Sequence, residues 1–120
     1  MVVDDDDDVR ELMKYHLNKL GCESILLANG DDAVAYYQRV LGSESAIDIV
    51  ILDLTIEASM GGLEIAEKIH ALDPHAKLIV SSGHSECDEM RNCQNFGFVG
   101  ALEKIFNQQK IKNLLLEVLS

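Results

Sequence analysis

The apolar positions of the chain follow two alternating patterns. Short apolar runs rich in β-branched residues predict strands, and apolar residues at every third or fourth position predict helices. The strands are predicted at residues 1–3, 24–28, 47–54, 77–80 and 98–102, and the helices at 9–20, 31–41, 63–72, 86–96 and 107–119. Strict alternation with short connections is typical of a parallel sheet with helices on both faces. The sequence therefore predicts an α/β fold of five strands and five helices.

The third predicted strand has the most uniform pattern. Its residues Ile49–Leu52 are consecutive apolar residues, as expected of a strand that is buried on both faces. Asp53 follows directly, and burial of an unpaired carboxylate is costly. Because open α/β folds bind ligands at the carboxyl ends of their strands, Asp53 is expected at that edge of the sheet.

Composition limits the classes of function. The 120 residues suffice for one domain, and a single domain over 1–120 with no output domain is expected. The formal net charge of -11 disfavours nucleic acid and anionic membranes as partners. No apolar run is long enough for a membrane span, and no signal peptide pattern is present, so a cytoplasmic location is expected. Cys22, Cys87 and Cys93 lack the spacing of a zinc site and are expected to be free thiols.

Five polar residues follow predicted strands and are expected to meet at one edge of the sheet. They are Asp4, Asp5, Asp53, Ser82 and Lys104. Three neighbouring carboxylates repel one another unless a cation intervenes, and Mg²⁺ prefers such oxygen ligands. A hydroxyl and an ammonium group could hold phosphate oxygens beside the ion. The set is therefore suited to phosphoryl transfer onto a carboxylate.

The sequence resembles a known family over nearly all of its length. It is similar to the CheY-like receiver domain of two-component response regulators. The resemblance lies in Val2–Asp6, Ile51–Leu54, Val80–Gly83 and Lys104. A weaker likeness, in Asp53–Ile56 and Met60–Gly62, is to the receivers of hybrid sensor kinases. The resemblance implies a flavodoxin-like sheet of strand order 2-1-3-4-5.

The resemblance also implies a metal-dependent reaction. Asp53 would accept a phosphoryl group from a sensor histidine kinase or a histidine phosphotransfer protein. Asp5 and Asp53 would ligate Mg²⁺ directly, together with the backbone carbonyl of Thr55. Asp4 would act on the ion through water.

Other residues are implied to contact or protect the phosphoryl group. Ser82 would bond to it and Lys104 would pair with another of its oxygens. The side chains at Thr55 and His84 would tune its lifetime. The domain would thus assist its own phosphorylation and dephosphorylation without being an enzyme that acts on other substrates.

Three positions depart from the family pattern. The usual proline after the phosphoacceptor is replaced at Glu57, and the proline after the lysine is replaced by Ile105, which makes a cis peptide bond there improbable. The aromatic switch position holds Ala101. A conformational change on phosphorylation would then involve residues 86–96 and 105–106, without the movement of an aromatic side chain at position 101.

The same residues, and the chain as a whole, allow other interpretations. Asp4 and Asp5 could be helix-capping acids, Ser82 could cap the next helix, and Lys104 could be a surface lysine. The whole chain could be a degenerate receiver that binds partners without phosphorylation. An aspartate-nucleophile phosphatase is disfavoured because Thr55 stands where a general acid would be needed. In a functional receiver, the face formed by residues 86–96, 98–102 and 107–119 would bind a partner or form a homodimer.

Overall fold

Five parallel strands form one sheet. The computed structural model of the protein describes residues 1–44, 47–53, 62–82, 98–103 and 108–119. The strands are β1 (Val2–Val3), β2 (Leu26–Leu27), β3 (Val50–Asp53), β4 (Leu78–Ser82) and β5 (Phe98–Glu103). Their order across the sheet is β2-β1-β3-β4-β5, and all neighbouring strands are parallel. The predicted α/β fold and strand order are confirmed.

The described residues form four helices, which cover the two faces of this sheet. They are α1 (Asp7–Lys19), α2 (Gly30–Val40), α3 (Gly62–Leu72) and α4 (Gln108–Leu119). Buried residues of α2 and α3 share one hydrophobic cluster with alternate strand residues, and those of α1 and α4 share the other. The helix predicted at 86–96 lies outside the described residues.

Side-chain oxygens cap the first two helices. Asp6 Oδ1 accepts from the N–H groups of Asp8 at 2.9 Å and Val9 at 3.4 Å, so Asp6 caps α1. Asn29 Oδ1 accepts from the Asp32 N–H at 2.9 Å and caps α2. The helix was predicted to begin at residue 31, and the cap places its start at Gly30.

A hydrogen bond joins α2 to the residue that follows α3. The Tyr37 hydroxyl donates to Asp73 Oδ2 at 2.8 Å. Tyr37 is only 2% exposed and belongs to the buried core. The bond from Tyr37 and one from the His75 N–H hold the pKa of Asp73 below its ordinary value of 3.8. Burial and the same bond raise the pKa of Tyr37.

Replacing Tyr37 by Phe is expected to lower the free energy of unfolding by about 1 kcal/mol at neutral pH, since one hydrogen bond to a carboxylate is lost. The depressed pKa of Asp73 stabilises the fold above pH 3.8, and this contribution is lost as the pH falls through the folded-state pKa. The difference between Y37F and the wild type should therefore shrink in acid. Urea unfolding at neutral pH and near pH 3 checks this. An equal difference at both pH values would contradict it.

None of the helices in the described ranges combines the length and apolar character that crossing a membrane requires.

Candidate functional site

Two adjacent strands bring aspartates to the carboxyl edge of the sheet. Asp53 is the last residue of β3, and Asp4 follows β1 directly. Val3 pairs with Leu52 in the parallel register, so the next residue on each strand is an aspartate. Parallel strands end at the same edge, and the sequence pattern alone therefore placed these two carboxylates next to each other.

Asp4, Asp5 and Asp53 form a compact group of carboxylates. One oxygen from each lies within 4.8 Å of one oxygen from each of the others. Asp53 is 1% exposed and Asp4 is 2% exposed, whereas Asp5 is exposed to solvent. The group therefore has two buried members at the strand ends and one that opens towards water.

Hydrogen bonds fix the chain around Asp4. Its backbone N–H donates to the Leu27 carbonyl at 3.1 Å, which ties it to the next strand. Its Oδ1 accepts from the Asp6 N–H at 2.9 Å. Arg10 Nη1 donates to its carbonyl at 2.6 Å, and the Arg10 guanidinium also pairs with Asp7. The first turn of α1 thus holds Asp4 in place and commits one of its carboxylate oxygens.

The donor set fits a small, hard divalent cation. Mg²⁺ takes oxygen ligands at about 2.0–2.1 Å in an octahedron, so ligand oxygens lie about 3 Å apart at neighbouring corners and about 4 Å apart at opposite ones. Oxygens within 4.8 Å of one another need only small rotations of side chains to reach these separations. The exposed Asp5 carboxylate leaves one side open to water and to a phosphate ligand.

The fourth strand extends further than predicted, to Ser82. Ser81 pairs in register with Asp53 on one side and with Leu102 on the other. Ser81 is 2% exposed, and its Oγ has no hydrogen-bond partner in the part of the chain that is described. The family resemblance implies a role only for Ser82. In the sequence, Ser81 directly follows the predicted strand 77–80, and this strand neighbours the one that ends in Asp53.

The remaining predicted site residues are described only in part. Ser82 ends β4 opposite Glu103, at the same edge as the aspartates, and the description covers its backbone alone. Thr55 and Lys104 lie outside the described residues, as do the tuning position His84 and two of the departures from the family pattern, Glu57 and Ile105. Ala101 lies within β5. The roles implied for these side chains stay predictions.

Comparison with known families decides which family the chain belongs to. The family model described as the response regulator receiver domain matches residues 1–116. The chain belongs to the response regulator receiver family. The predicted resemblance is confirmed, and this receiver domain carries its acidic group at the edge where the strands end.

Individual relatives share most of this receiver domain. A putative NtrX-like response regulator of Rickettsia bellii is 32% identical over 116 residues, which cover 96% of this chain but 23% of that protein. Sporulation initiation phosphotransferase F of Bacillus subtilis is 26% identical over 113 residues, 94% of this chain and 86% of that protein. The response regulator protein TrrA of Thermotoga maritima superposes with a TM-score of 0.82 at 27% identity, over 98% of this chain and 95% of that one.

Proposed function

We propose that this receiver domain accepts a phosphoryl group on Asp53 from a phosphohistidine and thereby switches a partner-binding surface. One observation carries the proposal: Asp53 is a 1% exposed carboxylate that ends a central strand and lies within 4.8 Å of oxygens of two further aspartates. A buried acid in an acidic group is costly for folding, and such a cost is typical of functional sites.

The reaction is a transfer between two side chains. A carboxylate oxygen of Asp53 attacks phosphorus while the bond between phosphorus and the imidazole nitrogen breaks. The electron pair remains on the ring nitrogen, which takes up a proton, and Asp53 becomes an acyl phosphate. Because the transferred group brings negative charge to an acidic site, positioning and charge neutralisation are the main catalytic tasks.

The residues that would hold Mg²⁺ are Asp5, Asp53 and the Thr55 carbonyl, with Asp4 acting through water. The commitment of Asp4 Oδ1 to the Asp6 N–H supports the indirect role of Asp4. When bound, the ion supplies the positive charge that offsets the carboxylates and the incoming phosphoryl oxygens. TrrA of Thermotoga maritima was solved in complex with Mg²⁺ and beryllium fluoride, and its similarity to this chain supports the assignment of the metal.

Ser82 and Lys104 complete the site in this proposal. The Ser82 hydroxyl bonds to one phosphoryl oxygen and the Lys104 ammonium pairs with another. These contacts favour one arrangement of the surface formed with residues 86–96 and α4, where a partner or a second copy of the domain binds. The phosphoryl donor is a sensor histidine kinase or a histidine phosphotransfer protein, and the domain acts in the cytoplasm. The name of the Bacillus relative, a phosphotransferase, supports a place in such a relay.

Incubation with acetyl phosphate tests the function directly. Intact-mass measurement is expected to show one added phosphoryl group in the presence of Mg²⁺ and almost none in the presence of a chelator. Absence of the added mass at any Mg²⁺ concentration would contradict the proposal. Together with absence of Mg²⁺ binding, it would favour a degenerate receiver that binds partners in its unmodified form.

The two adjacent serines offer a matched pair of variants. Ser82→Ala is expected to slow phosphorylation by acetyl phosphate by about tenfold or more, because a donor to the phosphoryl oxygens is lost. Ser81→Ala should leave the rate unchanged and should not destabilise the protein, because it removes a buried hydroxyl that has no partner in the described chain. Time courses of intact mass check the first effect, and urea unfolding checks the second. Equal loss of rate in both variants would contradict a specific role of Ser82.

A further inference from the structure

Arg10 places a cation beside the run of five aspartates, Asp4–Asp8. Its side chain is only 17% exposed, although charged side chains are rarely buried unless they are paired. Nη1 donates to the Asp4 carbonyl at 2.6 Å, and Nη2 pairs with Asp7. Asp7 is 87% exposed, and an ion pair with so exposed an acid contributes little to stability. The hydrogen bond to the Asp4 carbonyl is therefore the contact that has to account for the placement of the guanidinium.

The peptide groups on both sides of Asp5 are held by hydrogen bonds. The carbonyl that Arg10 binds belongs to the peptide group between Asp4 and Asp5. The next peptide group supplies the Asp6 N–H, which donates to Asp4 Oδ1 at 2.9 Å. Because a peptide group is planar, a hydrogen bond to one of its atoms restricts the rotation of the whole plane. The Asp5 Cα is thus held between two fixed planes, while the Asp5 side chain is exposed to solvent.

Arg10 also ties this segment to the helix that follows. Its backbone N–H donates to the carbonyl of Asp6, the N-cap of α1, at 3.1 Å. Its guanidinium reaches back from the same turn to Asp4, whose own N–H donates to the Leu27 carbonyl at 3.1 Å. The segment that carries Asp5 is therefore anchored to the sheet on one side and to the first turn of α1 on the other.

Such anchoring matters more for Mg²⁺ than for a larger ion. Mg²⁺ requires a nearly ideal octahedron, whereas Ca²⁺ accepts flexible and irregular ligand sets. A ligand whose backbone is fixed before the ion arrives loses less conformational freedom on binding. The positive charge of Arg10 acts in the opposite direction, because it repels a cation in the acidic group. The sign of its net effect on Mg²⁺ affinity therefore separates positioning from charge.

We propose that Arg10 is a positioning residue of the metal site. By holding the peptide group between Asp4 and Asp5, its guanidinium sets the Asp5 carboxylate where an octahedral Mg²⁺ requires a ligand. The inference rests on the proposed function, because Asp5 is a ligand of the ion only in that proposal. Arg10 acts through the backbone and does not contact the ion. Loss of the guanidinium therefore weakens Mg²⁺ binding even though it removes a repulsive charge.

Arg10→Met tests the inference on the full chain. Methionine keeps an unbranched apolar stem and a good helix propensity but has no hydrogen-bond donor. Isothermal titration is expected to show Mg²⁺ affinity reduced at least about fivefold and Ca²⁺ affinity changed by less than about twofold, because only Mg²⁺ demands strict geometry. In the metal-free protein, hydrogen-exchange NMR should show the Asp6 amide exchanging at least about fivefold faster, since its acceptor is less firmly held. Far-UV circular dichroism should show the wild-type fold, because Asp6 caps α1 without Arg10.

Lys14→Met is the matched control. Lys14 is exposed and lies one turn further along α1, so the same charge is removed without loss of the carbonyl bond, and Mg²⁺ affinity should change by less than about twofold. Mg²⁺ affinity in R10M equal to or above that of the wild type overturns the inference, as does an equal loss in K14M or an equal loss for Ca²⁺. These results leave the proposed function standing. If the wild type itself bound no Mg²⁺, the proposed metal site and this inference would fail together.

Discussion

Replacing Asp53 by Asn is expected to abolish phosphorylation by acetyl phosphate. The amide oxygen is a poor nucleophile and cannot form a stable acyl phosphate, while the side chain keeps its shape in the buried position at the end of β3. Intact mass after incubation with acetyl phosphate and Mg²⁺ should equal the untreated mass. Far-UV circular dichroism should show the wild-type fold.

Asp48→Asn is the matched control for this variant. Asp48 precedes the same strand at its other end and is exposed. The same chemical change there should leave the added mass and the rate unchanged. If D53N still gained a phosphoryl group, or if D48N lost it, Asp53 would not be the acceptor.

Replacing Asp5 by Asn is expected to weaken Mg²⁺ binding by about tenfold or more, as expected when a metal site loses one of its carboxylates. Asp5 is the exposed member of the acidic group, so this variant should keep the wild-type stability to within about 0.5 kcal/mol. Isothermal titration with Mg²⁺ measures the affinity. The rise in Tm caused by the ion should fall in parallel, because ligand binding stabilises in proportion to the logarithm of ligand concentration over Kd.

Asp8→Asn serves as the control for Asp5→Asn. Asp8 is also exposed and acidic, and it lies in the first turn of α1 beyond the capping residue. Its replacement removes the same charge from the same region and should change Mg²⁺ affinity by less than about twofold, since exposed charges are well screened. Equal loss in D5N and D8N would show that general acidity, and not ligation, attracts the ion.

Local pattern was sufficient to predict the features that depend on neighbours in sequence. An apolar strand that ends in Asp53 and another that leads into Asp4 placed both acids at the carboxyl edge, and the parallel register of Val3 with Leu52 explains why they meet. The helix of residues 63–72 was predicted to end before Asp73, and α3 ends at Leu72. These features follow from periodicity, burial and strand-end geometry, which a sequence records directly.

Features that depend on distant partners were missed. Tyr37 is buried because Asp73, distant in sequence, accepts its hydroxyl, and no periodic pattern indicates that bond. Ser81 resembled a loop residue, yet pairing with strands on both sides makes it part of β4.

The most direct test of the central claim is to locate the modified residue. The protein is treated with acetyl phosphate and Mg²⁺ and then with borohydride, which reduces an aspartyl phosphate to homoserine, and the peptides are sequenced by mass spectrometry. The account predicts homoserine at position 53 and at no other position, and only in the sample that received both acetyl phosphate and Mg²⁺. Homoserine at position 4 or 5, or a peptide containing residue 53 that is never modified, would contradict it.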